Sequence, residues 1–234
     1  MTTRANRARS PYAGCVPPRV TPLWTLRAAA ALLALTAAAG CEVTVGSGAP
    51  GDTSSTAGAG AGDAAADLDK LTVAKAGTMS GYSRAKFPHW LSAGSNCDVR
   101  DTVLKRDGSQ VKLSGCNVVA GTWTSVYDGD KITDPSKVDI DHMVPLANAW
   151  RSGANAWTTQ QRQDFANDLD DPQLLAVSAS SNRSKGDQDP STWKPELTGA
   201  WCEYAQDWIT VKSRWKLTVT TAEKSALTDM LEKC

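Results

Sequence analysis

Apolar positions divide the chain into an unpatterned front and a patterned rear. Residues 42–67 are small and polar, with no aromatic side chain and no apolar recurrence at a strand or helix period. Such a run cannot bury enough apolar surface to offset its ordering entropy, so a flexible tether is expected there. Beyond it, residues 98–106 predict a short helix capped by Asp98 and ended by Asp107-Gly108. Residues 111–113 and 117–127 are β-prone, the second run broken at Gly121 and closed at Asp128-Gly129. A short strand over 138–140 stops near Pro145, helical patterns follow over 146–151 and 159–168, and 174–177 reads as an apolar strand. Two closing helices are predicted over 200–213 and 221–233, the second opened by a capping box between Thr220 and Glu223. Trp201, Trp208 and Trp215 recur every seven residues, a helical stripe read as core and not as a base-stacking platform. The mixture is α+β, with one folded domain over 68–234, long enough for its own core.

The first 41 residues carry five arginines and no acid, and an Ala- and Leu-rich run over 28–39 follows Arg27. That run falls short of the roughly 20 apolar residues a permanent bilayer span needs, so it reads as a secretory signal. Leu35-Thr36-Ala37-Ala38-Ala39-Gly40-Cys41 is similar to a lipobox, with Ala38 where Leu is usual, and cleavage after Ala39 also fits. Lipidation of Cys41 would place the protein on the outer face of the cell membrane; ordinary cleavage would secrete it. Cysteine arithmetic favours lipidation. Cys15 leaves with the signal, Cys41 takes the lipid, and Cys97, Cys116, Cys202 and Cys234 remain to pair in an oxidising compartment. Of the three connectivities, the two local loops, Cys97–Cys116 and Cys202–Cys234, are expected.

Without its first 41 residues the chain has 20 basic residues against 25 acidic ones, a formal charge of −5. A protein coating nucleic acid through many phosphate contacts would be basic. Any action on nucleic acid should therefore run through a compact site.

Only two histidines exist, His89 and His142. Alternation over 138–142 puts Asp139 and Asp141 on one strand face, with His142 at the strand end. A carboxylate beside a histidine offers a hard oxygen ligand next to a base of near-neutral pKa. His89, between Pro88 and Trp90, reads as packed against aromatics, and Asp187 and Asp189, just before Pro190, as turn caps. Two distant histidines do not supply the three ligands of a zinc hydrolase.

Asp141-His142-Met143-Val144-Pro145 resembles the first half of the HNH endonuclease motif, Asp-His-x-x-Pro. Leu174, Val177, Asn182, Lys185 and Gly186 match its second half without a gap, Val177 standing for Leu. With Ala149-Trp150-Arg151-Ser152-Gly153, Phe87-Pro88-His89-Trp90 and Gly186-Asp187-Gln188-Asp189-Pro190, the chain resembles an exported bacterial HNH branch over almost the whole domain. The resemblance implies a ββα-metal site holding one divalent cation, Mg²⁺ or Mn²⁺. Asp141 and Asn182 would be its ligands and His142 the general base. Nucleic acid would be the substrate, DNA ahead of RNA, with Arg183 and Lys185 on its phosphates. One departure stands out: Gln173 occupies the place of the family's Asn that orients the histidine ring. Either Gln173 holds the imidazole or a backbone carbonyl does. The alternative to an enzyme is a non-catalytic binding protein of the cell envelope on the same scaffold.

Overall fold

Ala64, Leu68 and Leu71 recur at four and three residues, and in the computed structural model this stripe is buried, the first two on helix α1 (Ala57–Lys70) and Leu71 just past its end. The structure describes residues 57–94 and 97–234. The tether expected over 42–67 is thus corrected at its rear: α1 packs on the C-terminal helices and adds to the main core. Over 57–67 the stripe has only Ala64 and its two leucines lie beyond, so composition alone reads that stretch as linker. The signal, Cys41 and the front of the tether lie outside the described residues.

Strands β1 (Ser92–Gly94) and β2 (Cys97–Asp98) pair antiparallel and lead into α2 (Val99–Asp107). Asp98 caps α2 through the Asp101 N–H, and Asp101 returns the contact. Strands β3 (Ser109–Ser114), β4 (Asn117–Thr124) and β5 (Lys131–Ile132) form a three-stranded antiparallel sheet in that order. Gly121 does not break β4. A Cβ there would stand 2.5 Å from the Trp123 ring, and one at Gly108 would stand 2.6 Å from its indole nitrogen. Both glycines make room for that ring, whose N–H donates to the Leu104 carbonyl.

The centre of the molecule is the antiparallel pair β6 (Val138–His142) and β7 (Leu174–Ser178), in register from Val138↔Ser178 to His142↔Leu174. Between them run α3 (Leu146–Arg151) and α4 (Thr159–Ala166); after them come α5 (Ala179–Lys185), α6 (Trp201–Arg214) and α7 (Thr221–Leu231). Val138, Ile140, Leu174 and Ala176 share one sheet face and pack with Val99, Val103 and Leu104 of α2 and with Trp123. α5 packs on this strand pair, and the larger core gathers α1, α3, α4, α6 and α7, with the Trp201–Trp208–Trp215 stripe in or against it.

Two strands alone would expose unpaired edges. The end of α2 covers the β7 edge: Asp107 accepts from the Ala176 N–H at 2.9 Å and Arg106 donates to the Leu174 carbonyl. Arg100 reaches the Val138 carbonyl of β6 at 2.8 Å. Both expected disulfides are present, Cys97–Cys116 and Cys202–Cys234, with Cα separations of 5.1 and 5.0 Å. Among the described residues, no helix is long and apolar enough to cross a membrane. The α+β expectation holds, and the described residues fall within one compact unit, 52–234.

Candidate active site

Successive strand residues project to opposite faces, so Asp141 and His142 part company at the end of β6. Asp141, 4% exposed, turns toward α5 and α6. Its Oδ2 accepts from the Tyr127 hydroxyl at 2.7 Å and from Lys185 Nζ at 2.5 Å. Its Oδ1 receives no hydrogen bond among the described residues. Burial and the nearby Asp141 charge hold the Tyr127 hydroxyl well above the ordinary phenol pKa, so it remains a donor.

His142, also 4% exposed, turns toward the end of α4 and the segment 87–90. Its Nε2 lies 3.0 Å from the Ala166 carbonyl. The last carbonyls of a helix lack intrahelical partners, and Ala166 is the final residue of α4. A carbonyl only accepts, so Nε2 carries the proton and the Nδ1 lone pair is left open. Trp90 lies 5.8 Å from the imidazole centroid to centroid, and His89 6.4 Å. Trp90 holds a left-handed backbone, φ 59°, which is rare for a bulky residue. Asn167 braces this wall by accepting from the Leu91 N–H and donating to the Pro88 carbonyl. Burial pulls the His142 pKa down to about 3, against the raising effect of the Ala166 carbonyl, with Arg84 and His89 lowering it further. The ring is therefore a neutral imidazole at ordinary pH.

Gln173 does not touch that ring. Fully buried, it accepts from the Val144 N–H and donates to the Val144 carbonyl, both at 3.0 Å. The role open to Gln173 or a backbone carbonyl falls to the Ala166 carbonyl, and Gln173 instead clamps the chain just after His142. Asn182 donates through Nδ2 to Asp139 Oδ2 at 3.2 Å, leaving its amide oxygen without a hydrogen bond among the described residues. The α5 start is fixed by Ser178, which caps the Ser181 N–H, and by Asp128, which accepts from the Ser178 and Ser181 hydroxyls. No hydrogen bond joins the His142 ring to Asp141 or Asn182.

Lys185 requires a correction. It is fully buried and its three donors go to Asp141 and to the His142 and Met143 carbonyls, so none is left for a substrate phosphate. A lysine near a helix end looks solvated in sequence, where burial is invisible. Arg183 differs: its side chain is 78% exposed and only 3.8 Å from Asp139, free to swing to a phosphate. Asp189 is the turn cap expected, accepting from the Ser191 N–H, whereas Asp187 pairs with Arg151. His89 packs on Trp90 with Nδ1 against the Phe87 carbonyl. Tyr127, Trp90 and Ala166 were assigned no role from the sequence, since each acts by a contact between distant segments.

Among the described residues, no three His, Cys, Asp or Glu side chains gather as a metal cluster. Asp141 Oδ1 and the Asn182 amide oxygen are both hard donors not taken by hydrogen bonds. Oxygen donors of this type are what Mg²⁺ or Mn²⁺ prefers.

No solved structure matches this chain. A protein of Arthroderma benhamiae, described as an uncharacterized secreted protein, is 56% identical over 168 residues, covering 71% of this chain and 82% of its own length. That relative is fungal, so the bacterial attribution of the branch finds no support. Residues 97–230, more than half the chain and all of β2 to α6, match the family described as GmrSD restriction endonucleases, C-terminal domain. The chain belongs to that nuclease-related family.

Proposed function

We propose that this protein is an exported, metal-dependent endonuclease that hydrolyses phosphodiester bonds of nucleic acid, DNA ahead of RNA, through the unit β6–β7–α5. The observation that carries the reading is the state of the candidate groups. His142 gives its Nε2 proton to Ala166 and keeps Nδ1 open, while Asp141 and Asn182 each keep one oxygen free. Held by those two oxygens, a divalent cation would supply counter-charge to the scissile phosphate and the leaving oxygen. The neutral His142 takes the proton of the attacking water at Nδ1, and the Ala166 carbonyl steadies the imidazolium so formed. General-base help reaches roughly 10²–10⁴-fold when the base's pKa lies near the working pH, so under this reading the negative charge of bound substrate has to raise His142 from its value of about 3 in the free protein. Tyr127 and Lys185 fix the rotamer of Asp141, and Gln173 fixes the backbone behind His142.

An open groove of about 460 Å³ at the start of α5 supports the substrate class, since Lys131, Lys137 and Arg183 outnumber Asp130 and Asp134 in its lining. A larger groove of about 630 Å³ carries Asp164, Asp168, Asp170 and Asp171 against Arg214 and would repel a polyanion. Export is supported by the basic, acid-free first 41 residues, the two disulfides and the secreted description of the fungal relative. Lipidation of Cys41 rests on the lipobox-like run alone.

The burial of His142 under Trp90, without a hydrogen bond to Asp141, favours one second reading, a non-catalytic nucleic-acid-binding domain. Purified protein incubated with plasmid DNA and with RNA decides between them. Under the nuclease reading, cleavage needs Mg²⁺ or Mn²⁺, stops in chelator, falls by roughly 10²–10⁴-fold in His142→Ala, and in Asp141→Ala returns partly at high metal concentration. Binding without cleavage under every metal condition would leave the binding reading standing.

A further inference from the structure

Lys185 meets Asp141 from the inside of the protein. Its ammonium donates to Asp141 Oδ2 at 2.5 Å and to the His142 and Met143 carbonyls at 2.9 Å each. Burial lowers the Lys185 pKa while Asp141 raises it, and wherever the shared proton sits the Lys185–Asp141 pair carries no net charge. Tyr127, Tyr204 and Trp208 surround it, with nitrogen-to-centroid distances of 5.9, 6.0 and 5.8 Å. Such a cage of ring faces suits a cation.

The charges around the free oxygens then cancel. Lys185 answers Asp141 at 2.5 Å, Arg183 stands 3.8 Å from Asp139, and Asn182 brings no charge. A divalent ion arriving at Asp141 and Asn182 finds oxygen dipoles but no uncompensated carboxylate. The phosphate of a nucleic acid brings the negative charge that is lacking. We infer that Lys185 makes cation binding at Asp141 and Asn182 depend on the substrate phosphate, so that metal and nucleic acid bind with positive coupling. The inference rests on the nuclease reading of the same residues. Coupling of this kind is reciprocal: the cation must tighten nucleic-acid binding by the same factor that nucleic acid tightens the cation. Lys185 is thus a positioning residue that acts on the cation through Asp141.

The test is a binding measurement on the exported chain carrying His142→Ala, which slows turnover by roughly 10²–10⁴-fold, with the duplex checked to be intact after each titration. Mn²⁺ affinity is read by electron paramagnetic resonance with and without a short DNA duplex, and duplex affinity by fluorescence anisotropy with and without Mn²⁺. The expected result is a gain on the order of tenfold in each direction, lost when Asp141→Ala is added. Adding Lys185→Met should tighten Mn²⁺ binding in the absence of duplex and shrink the coupling, since the carboxylate is then uncompensated. Where Lys185→Met does not fold, the two-way coupling in the lysine-containing protein still decides. Equal Mn²⁺ affinity with and without duplex overturns the inference and leaves the nuclease reading intact. Weaker Mn²⁺ binding in folded Lys185→Met does the same. Failure to bind Mn²⁺ at Asp141 under either condition removes both.

Discussion

His142 should make this protein's stability depend on pH in a way that one substitution removes. In the unfolded chain its imidazole takes up a proton as pH falls below about 6.5. In the folded protein, burial postpones that step to about pH 3. The folded pKa is depressed, so the unfolded state binds more protons throughout that window. The stability associated with His142 is therefore complete above pH 6.5 and declines as pH drops toward 3. At pH 4.5 the unfolded form is almost fully protonated at this site and the folded form almost not at all. Two units of protonation free energy make the loss about 3 kcal/mol relative to neutral pH. Urea unfolding of the metal-free protein in chelator, at pH 7 and pH 4.5, measures it. Carboxylates also titrate here, so the informative quantity is the difference between wild type and His142→Ala. The wild type should lose about 3 kcal/mol more than the variant between the two pH values. Equal losses would mean that His142 is solvated in the folded protein, and the argument for a neutral, carbonyl-anchored base would fall with them.

Gln173→Ala should cost about 2–4 kcal/mol in urea unfolding, because it strands the buried N–H and carbonyl of Val144; a loss below about 0.5 kcal/mol would show that the clamp is not needed. Alkylation of the native protein should find no free thiol among Cys97, Cys116, Cys202 and Cys234. Opening either disulfide should cost about 3–4 kcal/mol, from loops of 19 and 32 residues, and unchanged thermal unfolding after reduction would refute this.

Local chemistry was legible in the sequence wherever neighbours along the chain decide the outcome. The Asp98 and Thr220 caps, the helices starting at Leu146 and Thr221, and the two local disulfides all stand where side-chain chemistry and spacing put them. The alternation that groups Asp141 with Asp139 also sends His142 to the other face, but the partners that Asp141 and His142 meet there were not legible. Lys185 misled because a lysine reads as solvated until its three partners are known. Residues 57–67 misled for the opposite reason: alanine and glycine look like linker, and only the docking of Ala64 and Leu68 makes them helix. Ala166 and Trp90 serve His142 from far along the chain, and no local pattern announces such service.

The opposed faces of Asp141 and His142 make the site sensitive to parity. Sliding β6 by one residue against β7 would exchange carboxylate for imidazole, sending His142 into the Lys185 cage and Asp141 under Trp90. A slip of this kind would keep the strand pair and erase the proposed chemistry. Three separate pins guard against it: Gln173 on Val144, α2 on both strands through Asp107–Ala176 and Arg100–Val138, and Lys185 on the His142 and Met143 carbonyls. Together they do for this two-stranded sheet what a row of further strands does for a wide one, and they make alignment, more than affinity, the property that substitutions around this site put at risk.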